Sequence, residues 1–272
     1  MMGKEKPAFW RTAISKVEPN KILVRGYDLA ALLGEYSLGE IVHLVWQGEL
    51  PTVEMGKLVE AMLVASCEHG LSAPSTDATR LVASCGVPLE SAVAAGICAL
   101  GDLHGGAIER CGKVLVDGVK TIREEGKGVQ EVADMITNRH KEKKERLVGY
   151  GHPTHTDDPR TRKILQMAEE VGVSKIHVRL AKAIEATTER YYGKTLILNI
   201  DGAIAAVSMD MGFDWRVGKG FFIVGRAVGL VAHALEQMSN EGPYKSANWQ
   251  EVEYLGTPPR DVPRRASKDN IV

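Results

Sequence analysis

The sequence predicts an all-α fold, and three observations support this prediction. Apolar residues recur at intervals of three and four along most of the 272-residue chain, as they do on one face of a helix. Aromatic residues make up only 6% of the chain, while alanine, leucine, valine and glycine are plentiful, which suits closely packed helices better than a β-sandwich. Outside 195–200, no segment alternates apolar and polar residues over the length of a strand.

Start and stop signals place the first helices. Two short amphipathic helices are expected within 25–52, and each ends at a glycine. A longer apolar segment over 57–70 predicts a third helix. Ser75 or Thr76 is expected to be the N-cap of a fourth, which runs to about Cys85.

The second half of the chain has similar signals. The charged run 138–147 is typical of a solvated helix. Asp158 followed by Pro159 predicts a helix start with proline in the first helical position. Ser174 is expected to cap the next helix, and Gly193 is expected to end it in the left-handed conformation.

Composition excludes several classes of protein. The formal net charge is −1, so no overall field attracts nucleic acid or a membrane surface, and neither is expected as a partner. Arg226, His233 and Glu236 interrupt the longest apolar stretch, 220–238, which therefore predicts a buried helix instead of a membrane span. The N-terminus lacks the apolar region of a secretory signal, so a cytoplasmic location is expected. Buried reduced thiols are expected at the four cysteines, Cys67, Cys85, Cys98 and Cys111.

A change in polarity along the chain predicts two domains. The large domain would comprise 1–107 and 215–272, with a more polar small domain, 108–214, inserted between its two parts. The alanine-rich stretch 91–100 and the apolar helix over 221–238 look more buried than one small domain requires. A homodimer or a higher homo-oligomer is therefore expected.

The stretch GYGHPTHTDD, residues 149–158, is too rich in glycine and proline to be regular secondary structure. His152 and His155 are three residues apart, which would suit zinc on a helix, but Pro153 opposes a helix there. The chain has no HExxH motif and no paired cysteines, so no metal is expected. A phosphate-binding loop is also not indicated, because the chain has no GxxxxGK[ST] motif.

Three histidines adjoin glycines at predicted helix ends, namely His69, His104 and His152. Together with Asp201 of the NIDG sequence, they suit acid–base chemistry at a carbon next to a carbonyl. Such chemistry needs a carboxylate aimed at the carbon and a donor that stabilises the enolate oxygen. Arg226 lies within an apolar helix, where a charge is costly unless it is paired. It could bind a substrate carboxylate or form a structural ion pair.

Six stretches together resemble the citrate synthase family, and most of all its short citryl-CoA lyases and the citryl-CoA lyase module of ATP-citrate lyase. They follow the family's order and spacing over most of the chain. The stretches are RGYDLAALL…GELPT (25–52), EHG (68–70), GDLHGGAIE (101–109), GYGHPTHTDDPRTRKIL (149–165), LILNIDG (196–202) and VGRAVGLVAHALEQ (224–237).

The resemblance implies a helical fold of two domains, in which the smaller domain closes over the substrates. It also implies three catalytic roles. His104 would stabilise the enolate, and Asp201 would move the proton on the acetyl methyl carbon. His152 would hydrogen-bond the oxaloacetate carbonyl or citryl hydroxyl oxygen.

The resemblance further implies binding residues. The carboxylate-binding residues would be His69, Arg160, Arg162 and Arg226, with Arg162 a rival of Arg160 for one position. The CoA side would involve Lys143, Lys144, Arg146 and His155. The basic run that contains Lys143, Lys144 and Arg146 could instead be an ordinary solvated helix face. The CoA thioester would be a substrate, so no cofactor is expected.

The activity implied is retro-Claisen cleavage of citryl-CoA to acetyl-CoA and oxaloacetate. The missing N-terminal portion of full-length synthases favours a lyase. His104 points to synthase-type enolate chemistry, because the ATP-citrate lyase module lacks a histidine there. A citrate or 2-methylcitrate synthase therefore remains an alternative. Pro153 stands where many relatives have arginine, so one contact to the ligand would be missing. A non-catalytic binder of CoA or carboxylates is a third possibility.

Overall fold

A short hairpin sheet precedes the helices. In the computed structural model, which describes residues 9–153 and 155–263, the strands β1 (Ser15–Glu18), β2 (Lys21–Val24) and β3 (Tyr27–Asp28) pair antiparallel in that order. Asn20 has a φ of 61° in the first turn and Gly26 a φ of 90° in the second. The sequence predicted almost no strand and did not indicate this hairpin. The strands are mostly exposed on both faces, so they lack the apolar alternation that reveals a half-buried strand.

The remainder of the described chain is helical, which confirms the all-α prediction. The predicted strand at 195–200 is an irregular segment with one isolated bridge, from Leu198 to Tyr150. The helices are α1 (Leu29–Leu32), α2 (Leu38–Gln47), α3 (Val53–Cys67), α4 (Pro74–Ala83), α5 (Leu89–Cys98), α6 (Ala107–Glu125), α7 (Val129–Glu142), α8 (Pro159–Glu170), α9 (Ile176–Tyr192), α10 (Ile200–Asp210) and α11 (Gly218–Asn240).

Several helix ends follow the predicted signals. Asp158 is the N-cap of α8, and its side chain accepts the backbone N–H of Arg160. Gly193 ends α9 with a φ of 68°. A capping box, in which the side chains of Ser37 and Glu40 each accept the other's backbone N–H, starts α2.

Two predicted caps were wrong. Helix α4 begins two to three residues earlier than expected, with Ala73 as N-cap and Pro74 in the first turn. Ser75 therefore lies inside the helix. Ser174 does not cap α9, whose N-cap is Lys175 without a side-chain cap bond. The backbone N–H groups at the start of α9 are instead bonded by a residue at the end of another helix.

That replacement cap is Asp210, the last residue of α10. Its carboxylate accepts the backbone N–H groups of Lys175, His177 and Val178 at 2.7, 3.0 and 2.9 Å, and His177 Nδ1 lies 2.8 Å away. Burial raises the pKa of Asp210, but these hydrogen bonds outweigh it and leave the pKa below its usual value. A long-range carboxylate thus takes the place of a local cap.

The helices pack into two groups that share a large core, and a small second cluster of Ala83, Ala92 and Ala234 joins α4, α5 and α11. Helix α11 packs on α3, α4, α5 and α6, and α10 packs on α6, α8 and α9. Every residue of α10 is buried except Asp201, which is partly buried. The core includes residues of both groups, from Val42 to Phe222. The division into 1–107 plus 215–272 and 108–214 remains a prediction, and residues 1–8 and 264–272 lie outside the described chain.

Helix α11 combines a buried face with an apolar exposed one. The stretch Trp215–Asn240 is long and apolar enough to cross a membrane, yet 44% of its most apolar window is buried inside the molecule. Phe221 and Leu230 are fully buried, and Arg226 is only 3% exposed. These contacts are those of a core helix in a globular fold, as the sequence predicted.

We expect Asp210→Ala to lower the free energy of unfolding by about 3 kcal/mol, because several backbone donors at the start of α9 lose their acceptor. Urea denaturation at fixed protein concentration measures this change. Asp117→Ala is the control, since Asp117 is exposed and pairs only with Lys113, and it should have little effect. Equal effects of the two substitutions would contradict the role of Asp210.

Candidate active site

One cleft brings together most of the predicted site residues. Its volume is about 440 Å³, and it lies between the α3–α4 turn, the loop before α6, the 149–152 loop and the starts of α8 and α10. The predicted residues that line it are His69, His104, Arg146, His152, Arg160, Asp201 and Arg226. Arg162, Lys143, Lys144 and His155 are not among the lining residues.

His69 is held by a turn that Glu68 closes. One carboxylate oxygen of Glu68 accepts the backbone N–H groups of His69 and Gly70 at 2.9 and 2.5 Å. The other oxygen lies 3.1 Å from Nε2 of His233 on α11. Burial raises the pKa of Glu68, but these hydrogen bonds more than offset it, so the pKa is below its usual value. Gly70 has a φ of 79°, which explains the glycine of the EHG sequence.

His104 is anchored to the first turn of α4. Its Nε2 accepts the backbone N–H of Ser75 at 3.3 Å and lies 2.9 Å from the Ser75 hydroxyl oxygen. Because Nε2 is an acceptor, the neutral ring carries its proton on Nδ1. Burial and, secondarily, the charge of Arg226 lower the pKa of His104. The ring is thus a neutral N–H donor, as enolate stabilisation requires.

The loop that carries His152 is fastened to the segment before α10. Gly151 N–H donates to the carbonyl of Ile197 at 2.7 Å, and Asn199 N–H donates to the carbonyl of Gly149 at 3.0 Å. The Asn199 side chain donates to the carbonyl of Gly151 at 2.8 Å. A Cβ at Gly149, whose φ is 86°, would lie 2.7 Å from Cys111 Sγ. The GYG and LNIDG sequences therefore form one unit.

His152 is also neutral in this arrangement. Its Nδ1 accepts the backbone N–H of His155 at 3.1 Å, which leaves the proton of the neutral ring on Nε2. Burial lowers the pKa of His152, and the neighbouring His155 and His69 lower it further. The two rings of His152 and His155 stack, with centroids 4.3 Å apart.

Asp201 lies in the first turn of α10, two residues after the N-cap Asn199. Burial raises the pKa of its carboxyl group, and Asp158 raises it further, while Arg160, Arg226 and Arg146 oppose the rise. The net effect brings the pKa of Asp201 closer to the range of an effective general acid or base. A carboxylate and two neutral histidines thus line the same cleft.

Arg226 is a buried cation without an ionic partner. Its Nε donates to the carbonyl of Ser66 at 3.2 Å, and its guanidinium lies 4.8 Å from the ring centre of Phe222. No carboxylate in the described part of the chain forms an ion pair with it. Burial lowers its pKa, although the more distant Glu68 and Asp201 act against this. A buried cation of this kind needs an anion, and a carboxylate ligand in the cleft would supply it.

Arg160 and Arg162 point in different directions. The Nε and Nη2 atoms of Arg160 donate to the two oxygens of Asp158 at 3.0 and 2.9 Å, and Arg160 lines the cleft. Arg162 pairs with Asp157 at 3.1 Å, and its side chain is 69% exposed. Residues two apart on a helix do not share a face. The structure therefore brings Arg160, and not Arg162, to the cleft.

A second groove adjoins the cleft between α6 and α7. Its volume is about 670 Å³, and Arg110, Arg146 and Val148 line both. Lys113 and Arg139 line the groove as well, whereas Lys143 and Lys144 do not. Arg110 and Lys113 were not among the predicted site residues, although both are basic residues on the helix that follows His104. Ser75 and Asn199 were not either, because their site contacts join distant segments. Asp158 was predicted only as a helix start, and its bonds to Arg160 were not.

The family model "Citrate synthase, C-terminal domain" matches residues 53–246. The chain belongs to the citrate synthase family. A solved relative in the family, citryl-CoA lyase from Hydrogenobacter thermophilus, is 40% identical with a TM-score of 0.86, covering 94% of this chain and 98% of that one. ATP citrate lyase from Methanothrix soehngenii, at 21% identity and a TM-score of 0.80, covers 94% of this chain and 43% of that one, and shows the fold alone.

Curated members of the family are longer. "Putative citrate synthase 2" of Mycobacterium tuberculosis is 31% identical over 197 residues, which is 71% of this chain and 50% of that protein. "Probable ATP-citrate synthase" of Dictyostelium discoideum is 28% identical over 230 residues, which is 78% of this chain and 35% of that protein. The chain thus spans half or less of the length of these two relatives.

We expect Arg226→Met to weaken the binding of a dicarboxylate such as oxaloacetate by roughly 2–5 kcal/mol, because the carboxylate of the ligand would no longer meet a buried cation. The unliganded protein should not become less stable, since the removed charge has no ionic partner among the described residues. Calorimetric titration and thermal unfolding measure the two quantities. Arg162→Met, which removes an exposed cation, should leave binding unchanged. A large loss of stability with unchanged affinity would show a structural role instead.

Proposed function

We propose that the chain catalyses the cleavage of citryl-CoA to acetyl-CoA and oxaloacetate. The observation that carries the proposal is the cleft itself, where Asp201 with a raised pKa, neutral His104 and unpaired Arg226 meet. The likeness to the Hydrogenobacter thermophilus citryl-CoA lyase covers 98% of that chain, which supports a lyase.

In the proposed reaction, each of the cleft residues would act at a different atom. As the carbon–carbon bond breaks, the citryl hydroxyl loses its proton and becomes the carbonyl of oxaloacetate. The bonding electrons pass to the acetyl-CoA side as an enolate. Nδ1–H of His104 would stabilise the enolate oxygen, and Asp201, protonated beforehand, would deliver a proton to the carbon.

His152 would act on the oxygen of the oxaloacetate side. With its proton on Nε2, the ring found here donates to a carbonyl oxygen, so this form suits bound oxaloacetate. To take the hydroxyl proton of citryl-CoA, the ring must offer an unprotonated Nε2. The bond from the His155 backbone N–H to Nδ1 must then break, because Nδ1 would carry a proton. The cleavage direction therefore requires a change in the 152–155 loop.

We also propose that the CoA nucleotide extends from the cleft into the adjoining groove. Arg146 lies at the junction of the two, and Arg110, Lys113 and Arg139 could pair with phosphates. Asp117, Glu142 and Glu145 line the same groove, so the basic side is the one that would face the phosphates. Closure of the 108–214 domain over the two substrates would complete the site.

A citrate or 2-methylcitrate synthase is the second candidate. His104 is present, and relatives at about 30% identity include proteins named as citrate synthases and as a 2-methylcitrate synthase. A synthase must also hydrolyse the thioester after condensation. The two candidates therefore differ in whether free CoA appears when acetyl-CoA and oxaloacetate are supplied.

We expect the purified protein to convert citryl-CoA to acetyl-CoA and oxaloacetate. Chromatography of the CoA esters measures this conversion. Supplied with acetyl-CoA and oxaloacetate, it should not release CoA stoichiometrically. Asp201→Asn should lower kcat by roughly 10²–10⁴-fold while citryl-CoA still binds, because only the proton transfer is removed. Stoichiometric CoA release would establish the synthase. Binding without any turnover of either substrate set would establish a non-catalytic binder.

We further propose that the chain forms a homo-oligomer through α11. Val228, Val231, Leu235 and Met238 are 62, 38, 48 and 40% exposed. Their spacing of three and four residues places them on one face of the helix. An exposed apolar stripe of this kind is typical of a protein–protein interface.

Light scattering at micromolar concentration should therefore give at least a dimer, and the double substitution Val231→Glu with Leu235→Glu should give a monomer. Met135→Glu is the control, because Met135 is equally exposed on α7 but lies outside the stripe. A monomeric unmodified chain, or a double variant that still associates, would refute this interface.

A further inference from the structure

The proposed mechanism gives no role to the imidazole of His155, yet that ring belongs to a cluster. His69, His152 and His155 each offer one ring nitrogen, and the three nitrogens lie within 4.8 Å of one another. The His69 and His152 ring centres are 5.6 Å apart, and those of His152 and His155 are 4.3 Å apart. Two separate segments, the turn after α3 and the loop before α8, supply these rings.

We propose that His69, His152 and His155 form a binding site for a divalent transition-metal ion such as Zn²⁺. Imidazole is a preferred ligand of Zn²⁺, and three histidines with one open position form a known type of zinc site. With Zn–N distances of about 2.0–2.1 Å, tetrahedral nitrogens lie roughly 3.4 Å apart. The nitrogens must therefore approach one another by at most about 1.4 Å, which side-chain rotation can provide.

Pro153 opposes a helix over 152–155, but a shared metal site for His152 and His155 does not require one. The two loop histidines need no helix to face one metal, because the hydrogen bond from the His155 backbone N–H to Nδ1 of His152 already holds the two residues together. An ion bound at that nitrogen replaces this 3.1 Å hydrogen bond. The third ligand, His69, is fixed by the Glu68 carboxylate through the backbone of its turn.

Neighbouring charges set the character of the site. Arg160 would repel a cation, but Asp158 neutralises it through two hydrogen bonds. Arg226 has no such partner and opposes the ion. Together with the nitrogen separations, this indicates reversible occupancy that depends on the concentration of free metal.

The position of the site makes it inhibitory. His69 and His152 line the cleft. The family resemblance assigns a substrate carboxylate to His69, and the proposed function assigns a substrate oxygen to His152, so an ion on both would exclude these two groups. This step rests on the proposed function, whereas metal binding does not. The metal would also join the turn after α3 to the 149–158 loop and hold the two in place.

Co²⁺ titration of the metal-free protein at pH 7.5 tests metal binding directly, since tetrahedral Co²⁺ has characteristic visible absorption. We expect one equivalent to bind and Zn²⁺ to displace it. His155→Phe keeps a flat ring but removes a ligand. Removing only a hydrogen-bond partner of a metal ligand typically lowers metal affinity by roughly 10- to 100-fold. Since His155→Phe removes a ligand itself, its Co²⁺ affinity should fall by at least that much. His140→Phe, on α7, should bind as the unmodified chain does, and circular dichroism checks the fold of both variants.

Three outcomes would overturn the metal site. They are no binding at micromolar Co²⁺, equal binding by the unmodified chain and His155→Phe, and a thiolate-to-cobalt charge-transfer band, which would identify cysteine ligands such as Cys67. If turnover is found, Zn²⁺ should inhibit the unmodified enzyme at lower concentrations than His155→Phe, each relative to its own metal-free rate. Equal inhibition would overturn the competition with substrate. Absence of turnover would contradict the proposed function and leave the cobalt result standing.

Discussion

The close approach of Gly149 to Gly202 is the constraint on which the site depends. A Cβ at Gly202 would lie 2.3 Å from the carbonyl oxygen of Gly149, so a side chain there would push the two segments apart. The contact allows Asn199 to bond the loop at two points, through its backbone and its side chain. His152 lies three residues after Gly149, and Asp201 immediately precedes Gly202. The proposed proton-transfer groups thus come together because two glycine-containing segments lack side chains where they cross.

The second organising feature is the distribution of charge around the cleft. Two of its charged neighbours already have partners, since Glu68 is bonded to His233 and Arg160 to Asp158. Arg226 is the buried cation left for a ligand. The histidines are kept neutral, in part by burial and in part by neighbouring groups. A cleft with more cationic than anionic groups and neutral histidine donors is suited to a substrate that brings several carboxylates.

Sequence patterns predicted the helical fold and much of the site because both depend on local signals. Glycine-flanked histidines and the apolar context of Arg226 pointed to the cleft without any knowledge of tertiary structure. The exposed hairpin was missed because it buries no face. Arg160 and Arg162 share a helix, so sequence could not decide between them. The packing of α8 did so, since it turned Arg160 toward the cleft and Arg162 toward solvent.

Contacts between distant segments were beyond the sequence. Ser75 was expected to cap a helix, but its backbone and hydroxyl instead meet His104, 29 residues further along. Asp210 replaces a local cap at a separation of more than 30 residues. The cluster of His69 with the two loop histidines likewise joins segments whose distance no spacing rule provides. Such contacts depend on how the helices pack, which periodicity alone does not specify.

The same charges link substrate binding to proton transfer. Arg160, Arg226 and Arg146 lower the pKa of Asp201, while burial and Asp158 raise it more. Under the proposed function, substrate carboxylates that pair with Arg226 and Arg160 would offset the positive charges that lower this pKa. Closure of the proposed small domain would also remove water, which would strengthen the burial effect. Both changes would raise the pKa of Asp201, so the bound complex would favour the protonated acid that the proposed cleavage needs. In the condensation direction the same rise would make Asp201 a stronger base. Arg226 would thus contribute twice, because it would bind the substrate and, once neutralised, would no longer weaken the acid–base group.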